Sequence, residues 1–173
     1  MSKKKSGEAQ PPQPPEVERK LQFHLIQLIG LPVIMLIPIL ALLGAFGETV
    51  GSATAANAML ELRVDHPTRF RYKMIDVVTV SLTNVSSQAF PTLQVAFDQG
   101  YLEGFSTVTF TPAVSHITDE AYVVELTDLQ PGETQMIAAS IQAEIYGNHS
   151  GVITVTPENG EKLQVPVGTF TFP

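Results

Sequence analysis

Four histidines are the residues best suited to chemistry in this chain: His24, His66, His116 and His149. Cysteine and tryptophan are absent. Without thiols there is no disulfide, no Cys-ligated zinc, no iron–sulfur cluster and no cysteine nucleophile. No two histidines stand at metal-ligand spacing, and neither H-E-x-x-H, G-x-S-x-G nor a phosphate-cradling glycine loop occurs. Blue-copper and dinuclear copper sites need thiolate ligands and fall with the cysteines. Asp119-Glu120 could serve calcium or acid–base work, but adjacent strand residues point to opposite faces and converge only in a loop. They read as solvated carboxylates. His24 reads as an interfacial residue, the other three as exposed groups near strand ends or loops. Asn84-Val85-Ser86 and Asn148-His149-Ser150 match the N-glycosylation triplet, a pattern short enough to arise by chance. No catalytic constellation, metal site or cofactor is expected, and the chain reads as a non-enzyme.

Two other groups of residues stand out. Arg69, Arg71 and Lys73 alternate with Phe70, Tyr72 and Met74, so period 2 places the three cations on one strand face. That stripe suits lipid headgroups or an acidic partner, and equally a solvated outer face. The second group lies in the apolar run before it. Pro32 and Pro38 each remove a backbone hydrogen bond, and Gln27 is costly against lipid unless it lies near the interface. Ala41 and Ala45, with Gly44 beside them, offer a small-residue surface for a neighbouring helix.

These residues imply elements to carry them. Leu25 to Phe46 is a run of 22 residues with Gln27 as its one strongly polar member. As a helix it would reach roughly 33 Å, against a hydrocarbon core of about 30 Å. A buried core helix is rarely apolar all round for so long. A cleaved signal peptide is the stronger competitor, since Ala53-Thr54-Ala55 and Ala56-Asn57-Ala58 resemble cleavage sites, but its apolar part is normally shorter. The favoured reading is a retained transmembrane helix over 21–47. Residues 1–20, with prolines at 11, 12, 14 and 15, form a disordered tail carrying five basic residues. The next basic residue is Arg63, so the tail is expected in the cytoplasm and the C-terminal region outside. Residues 48–59, rich in Gly, Ala, Ser and Thr, read as a linker.

From residue 60 to 173 the pattern is strand-like. Segments such as IDVVTVSLTN (75–84), FPTLQVAFD (90–98) and AYVVELTDL (121–129) are rich in Val, Thr, Ile and Phe. Turn signals separate them, with Asn159-Gly160 the best hairpin candidate. Seven to eight short strands predict a mainly β domain, an immunoglobulin-like antiparallel β-sandwich, with a closed barrel as the alternative. Within it, Asn84 at a strand end and the later Leu129-x-Pro131-Gly132-Glu133-Thr134 turn resemble bacterial extracytoplasmic sandwich modules of the CARDB-like and conserved-repeat kinds. The resemblance spans about residues 75–145. It implies the fold and an extracytoplasmic setting, and carries over no catalytic residue.

Net charge is −7, and residues 47–173 hold five basic against fourteen acidic side chains, which argues against a nucleic-acid partner. The function expected is that of a non-catalytic, single-pass protein of the cell membrane. It would be an accessory or assembly subunit of a larger complex, touching lipid and membrane-protein partners. The alternative is a membrane-anchored surface module that binds an extracellular ligand.

Overall fold

The computed structural model describes residues 25–44, 47–158 and 160–173 of the 173. The chain divides into two compact units, Met1–Ala45 and Phe46–Pro173. In the first unit, α1 spans Leu25–Leu42 and runs through both Pro32 and Pro38. The helix therefore ends earlier than the expected 47. Leu43 N–H bonds to Ile39 O at 3.0 Å, Gly44 N–H bonds to Ala41 O at 3.0 Å, and Gly44 has φ +77°. This is a left-handed glycine cap, a conformation glycine adopts without steric cost. Gly44 thus stops the helix. Residues 1–24 and Ala45, which hold the tail and His24, lie outside the described residues, as do the side chains of 25–28, including Gln27. Among the described residues no helix is long and apolar enough to cross a membrane. The 18 residues of α1 measure about 27 Å at the usual rise.

The second unit is mainly β. Its strands are β1 (Thr49–Ala56), β2 (Leu60–Arg71), β3 (Ile75–Asn84), β4 (Phe90–Asp98), β5 (Phe105–Thr111), β6 (His116–Ile117), β7 (Ala121–Leu129), β8 (Thr134–Ala143), β9 (Gly147–Pro157) and β10 (Leu163–Phe172). A single turn of helix, α2 (Gln99–Leu102), follows β4 and is capped by the Asp98 carboxylate. Pairing follows the open path β5-β8-β3-β2-β10-β9-β4-β7-β6, with β1 added on β2. Neither end of that path pairs with the other, so the barrel alternative gives way to a curled sheet of immunoglobulin-like type.

The fold-over happens along β2. Residues 60–65 pair antiparallel with β3, while Arg69–Arg71 run parallel to Phe170–Phe172 of β10. Pro67 sits where one partnership has ended and the other has not begun, so neither ladder needs its missing N–H. Inward residues from both layers, among them Leu62, Val80, Ile137, Val95, Val124 and Val155, are fully buried in one core.

One expectation is corrected here. The linker 48–59 is largely the strand β1, paired with β2 from Thr49↔Arg69 to Ala56↔Glu61. Its inward positions are Gly51, Ala53 and Ala55, and a Cβ on Gly51 would lie 2.4 Å from Thr68 Cγ2. Small residues are what this close-packed strand requires, and small residues are also what made it look like a linker. The hairpin expected around Asn159-Gly160 is present, since β9 ends at Pro157, β10 starts at Leu163 and the two pair antiparallel; Asn159 itself lies outside the described residues.

Candidate functional site

Arg69 and Arg71 lie as the alternation requires, exposed on β2 with Phe70 buried between them. Lys73 does not continue the stripe. β2 stops at Arg71, and Lys73 turns the chain with φ +59°, its N–H bonded to Ala143 O at 2.9 Å. Met74 is exposed rather than inward, because the turn ends the period-2 pattern. The three cations still gather at one end of the unit, now among aromatic rings. Arg69 pairs with Phe170 and Arg71 with Phe172 across the parallel ladder. The Arg71 guanidinium carbon stands 5.8 Å from the Phe172 ring centroid, and Lys73 Nζ stands 5.5 Å from that of Tyr72. Tyr72 and Tyr146 approach to 4.6 Å between centroids. Val50, Phe170, Ile145 and Tyr146 expose between 41 and 69% of their surface around these cations. Cation–aromatic contact of this kind holds charge beside an apolar surface at modest cost.

Ion pairing separates these cations from Arg63. Arg63 donates from Nε and Nη2 to Asp65 at 3.1–3.2 Å, the single salt bridge among the described residues. Those bonds, with help from Ser52, hold the Asp65 carboxyl below its usual range. Arg69, Arg71 and Lys73 have no carboxylate partner among the described residues.

The histidines require a correction. His66 is 6% exposed, in the middle of β2, because the inward series Leu60, Leu62, Val64 runs on to it. That series was present in the sequence, and Pro67 broke it one residue too late to turn His66 outward. Gly168 N–H reaches its Nε2 at 3.4 Å, while Nδ1 is buried without a partner. Burial lowers the imidazole pKa, and the Val64 and Gly168 backbones oppose that shift. Nearby, Thr169 Oγ1 donates to Pro67 O at 2.6 Å, which leaves the Tyr101 hydroxyl to donate to Thr169 Oγ1 at 2.9 Å. Burial pushes the Tyr101 phenol up to about 12, against that hydrogen bond, with Asp76 adding to the rise. His149 is half-buried against Phe105, and His116 is exposed in β6. Asp119 and Glu120 are exposed in the turn before β7.

The turn motifs prove to be one device. Asn84 is fully buried, and its Nδ2 donates to Gln88 O at 2.7 Å and Leu129 O at 3.1 Å. Its Oδ1 accepts from Ser86 N at 2.9 Å and Ser86 Oγ at 2.7 Å. The Asn84 backbone bonds to Glu133 O and receives Gly132 N–H, with Gly132 at φ +77°. Asn84 and the Leu129–Thr134 turn, 45 residues apart in the chain, are therefore locked side by side. Beside the same loops is an open dent of about 340 Å³, lined by residues such as Met59, Ser86, Gln88, Phe90 and Glu158. Glu158 is the ionisable group in its described lining.

No family model and no curated protein matches the chain. Among solved structures, the CARDB domain of a Pyrococcus furiosus protein, in complex with di-metal ions, is similar over 68% of this chain and 97% of that one. Identity there is 13% and the TM-score 0.42. A β-glucosidase from Listeria innocua in complex with isofagomine is similar over 72% of this chain but 16% of its own, at 13% identity and TM-score 0.31. The weak resemblance to CARDB-like modules stands, and it concerns the fold alone. Among the described residues there is no cluster of three or more His, Asp or Glu placed to hold a metal ion.

Proposed function

We propose that this protein is a non-catalytic, single-pass membrane protein, an accessory or assembly subunit that engages a larger complex through its helix and its external sandwich. The observation carrying this reading is the surface of the described part of α1 and its cap. Ten large apolar side chains from Ile29 to Leu43 are at least half exposed, Leu42 at 89%. A helix apolar all round needs lipid or protein around it, because water penalises every such side chain. Continuation of the apolar sequence to Phe46 supports a full span, and the basic tail supports a cytoplasmic N-terminus. Pro32, Pro38 and Ala41, all exposed on the helix, are the described positions where a partner helix would pack.

Alkaline carbonate extraction followed by copurification in mild detergent tests both halves. The chain should stay with the membrane pellet and then migrate with a reproducible set of larger partners. Release by carbonate removes the anchor, and a strictly monomeric species in detergent removes the subunit role.

A further inference from the structure

We propose that the cation–aromatic end of the sandwich is a lipid-docking face that rests on the phosphates of an anionic phospholipid surface. This deepens the anchored reading and rests on it. Three of the five basic residues of 47–173 collect there, although that region holds fourteen acidic ones. The single described ion pair consumes Arg63 and leaves Arg69, Arg71 and Lys73 unmatched. Glu144, which follows the strand end bonded to Lys73, is exposed and does not pair with it.

The rings are compatible with a lipid interface. Tyr146 and Phe170 are 54% and 41% exposed, and Arg71 and Lys73 each lie over a ring. Exposed tyrosines and phenylalanines interleaved with cations match the membrane–water interface, where rings take the headgroup level and cations meet phosphate. Rings and arginines also suit a protein interface, so lipid is favoured over an acidic protein by the apolar segment that precedes β1 at this end.

Chain connectivity agrees. Thr49 pairs with Arg69, so this is the end of the unit where β1 begins. Thr49 follows Leu42, the last helical residue, by seven positions. Seven residues reach at most about 25 Å. The proposed anchor therefore joins the sandwich at the end that carries these cations, whereas Val85 follows β3 at the opposite end.

The test uses the full chain, which has no native tryptophan, in vesicles whose lipids are brominated high on the acyl chain. Y146W places one indole on the face, and V85W places one at the opposite end. In phosphatidylcholine mixed with phosphatidylglycerol, the Y146W indole should be quenched and the V85W indole spared. R69Q/R71Q/K73Q, with R69E/R71E/K73E as the stronger form, should reduce the anionic-lipid-dependent quenching by about tenfold or more, and high salt should do the same. Unchanged circular dichroism keeps these variants interpretable. Vesicle flotation reads the anchor separately. Flotation without Y146W quenching, or quenching indifferent to all three cations, overturns the docking face alone. Shielding of the Y146W indole only by a copurified acidic protein overturns it as well. Loss of flotation overturns the anchor and this proposal together.

Discussion

Replacing Asn84 by alanine should be among the most damaging single substitutions in the sandwich. Four side-chain hydrogen bonds disappear: to Gln88 O, to Leu129 O, from Ser86 N and from Ser86 Oγ. The Ser86 hydroxyl also reaches Gln88 O at 2.9 Å, so its bond to Asn84 contributes little that is not recovered. The other three are worth about 1 kcal/mol each, and a buried Leu129 carbonyl left without its partner adds roughly 1–2 kcal/mol. The expected loss is therefore roughly 4–5 kcal/mol, a large part of the stability of a domain this size. Urea unfolding of the full chain in detergent, followed by circular dichroism, should show the midpoint falling by about 2 M at an unchanged slope. N84D should cost more than N84A at neutral pH, because a carboxylate oxygen would then face two carbonyl oxygens. A loss below about 1 kcal/mol for N84A would refute the view that this side chain, rather than the strands around it, locks the two turns.

Three further outcomes follow from the core. G151A should destabilise by roughly 2–4 kcal/mol, since its Cβ would lie 2.6 Å from Tyr101 Cβ, whereas G168A, with nothing nearer than 3.9 Å, should cost under about 1 kcal/mol in the same assay. The Tyr101 phenol is raised to about 12, so the folded state favours its protonated form. The associated stability should be complete below about pH 10 and lost as pH rises toward 12, and Y101F should remove that alkaline component from the unfolding profile. His66 is lowered by burial, so its contribution is present above its ordinary value of 6.5 and is lost as pH falls below it. H66L should flatten the acid limb of stability measured from pH 7 downward; an unchanged limb would show that another group governs it.

Local residue patterning is enough to locate most of the strands. Residues 75–84, 90–98 and 121–129 are strands at the expected bounds, because β-branched and aromatic residues alternate between clear turn signals there. It also placed three cations close together and set the apolar stretch apart from the sandwich. Tertiary structure decided what local pattern leaves open. Residues 49–56 are a strand because β2 offers an edge that tolerates only small side chains, a fact no window of eight residues contains. Lys73 leaves the stripe because β2 must hand over to β3 there, and the aromatic partners of Arg69 and Arg71 come from β10, some 100 residues later. Asn84 reads as a turn residue and a glycosylation triplet, yet packing buries it as the bolt between two loops. Period-2 alternation is a property of neighbours along the chain. Which strand lies beside which, and therefore which charges meet which rings, is settled only when distant segments bury one core together.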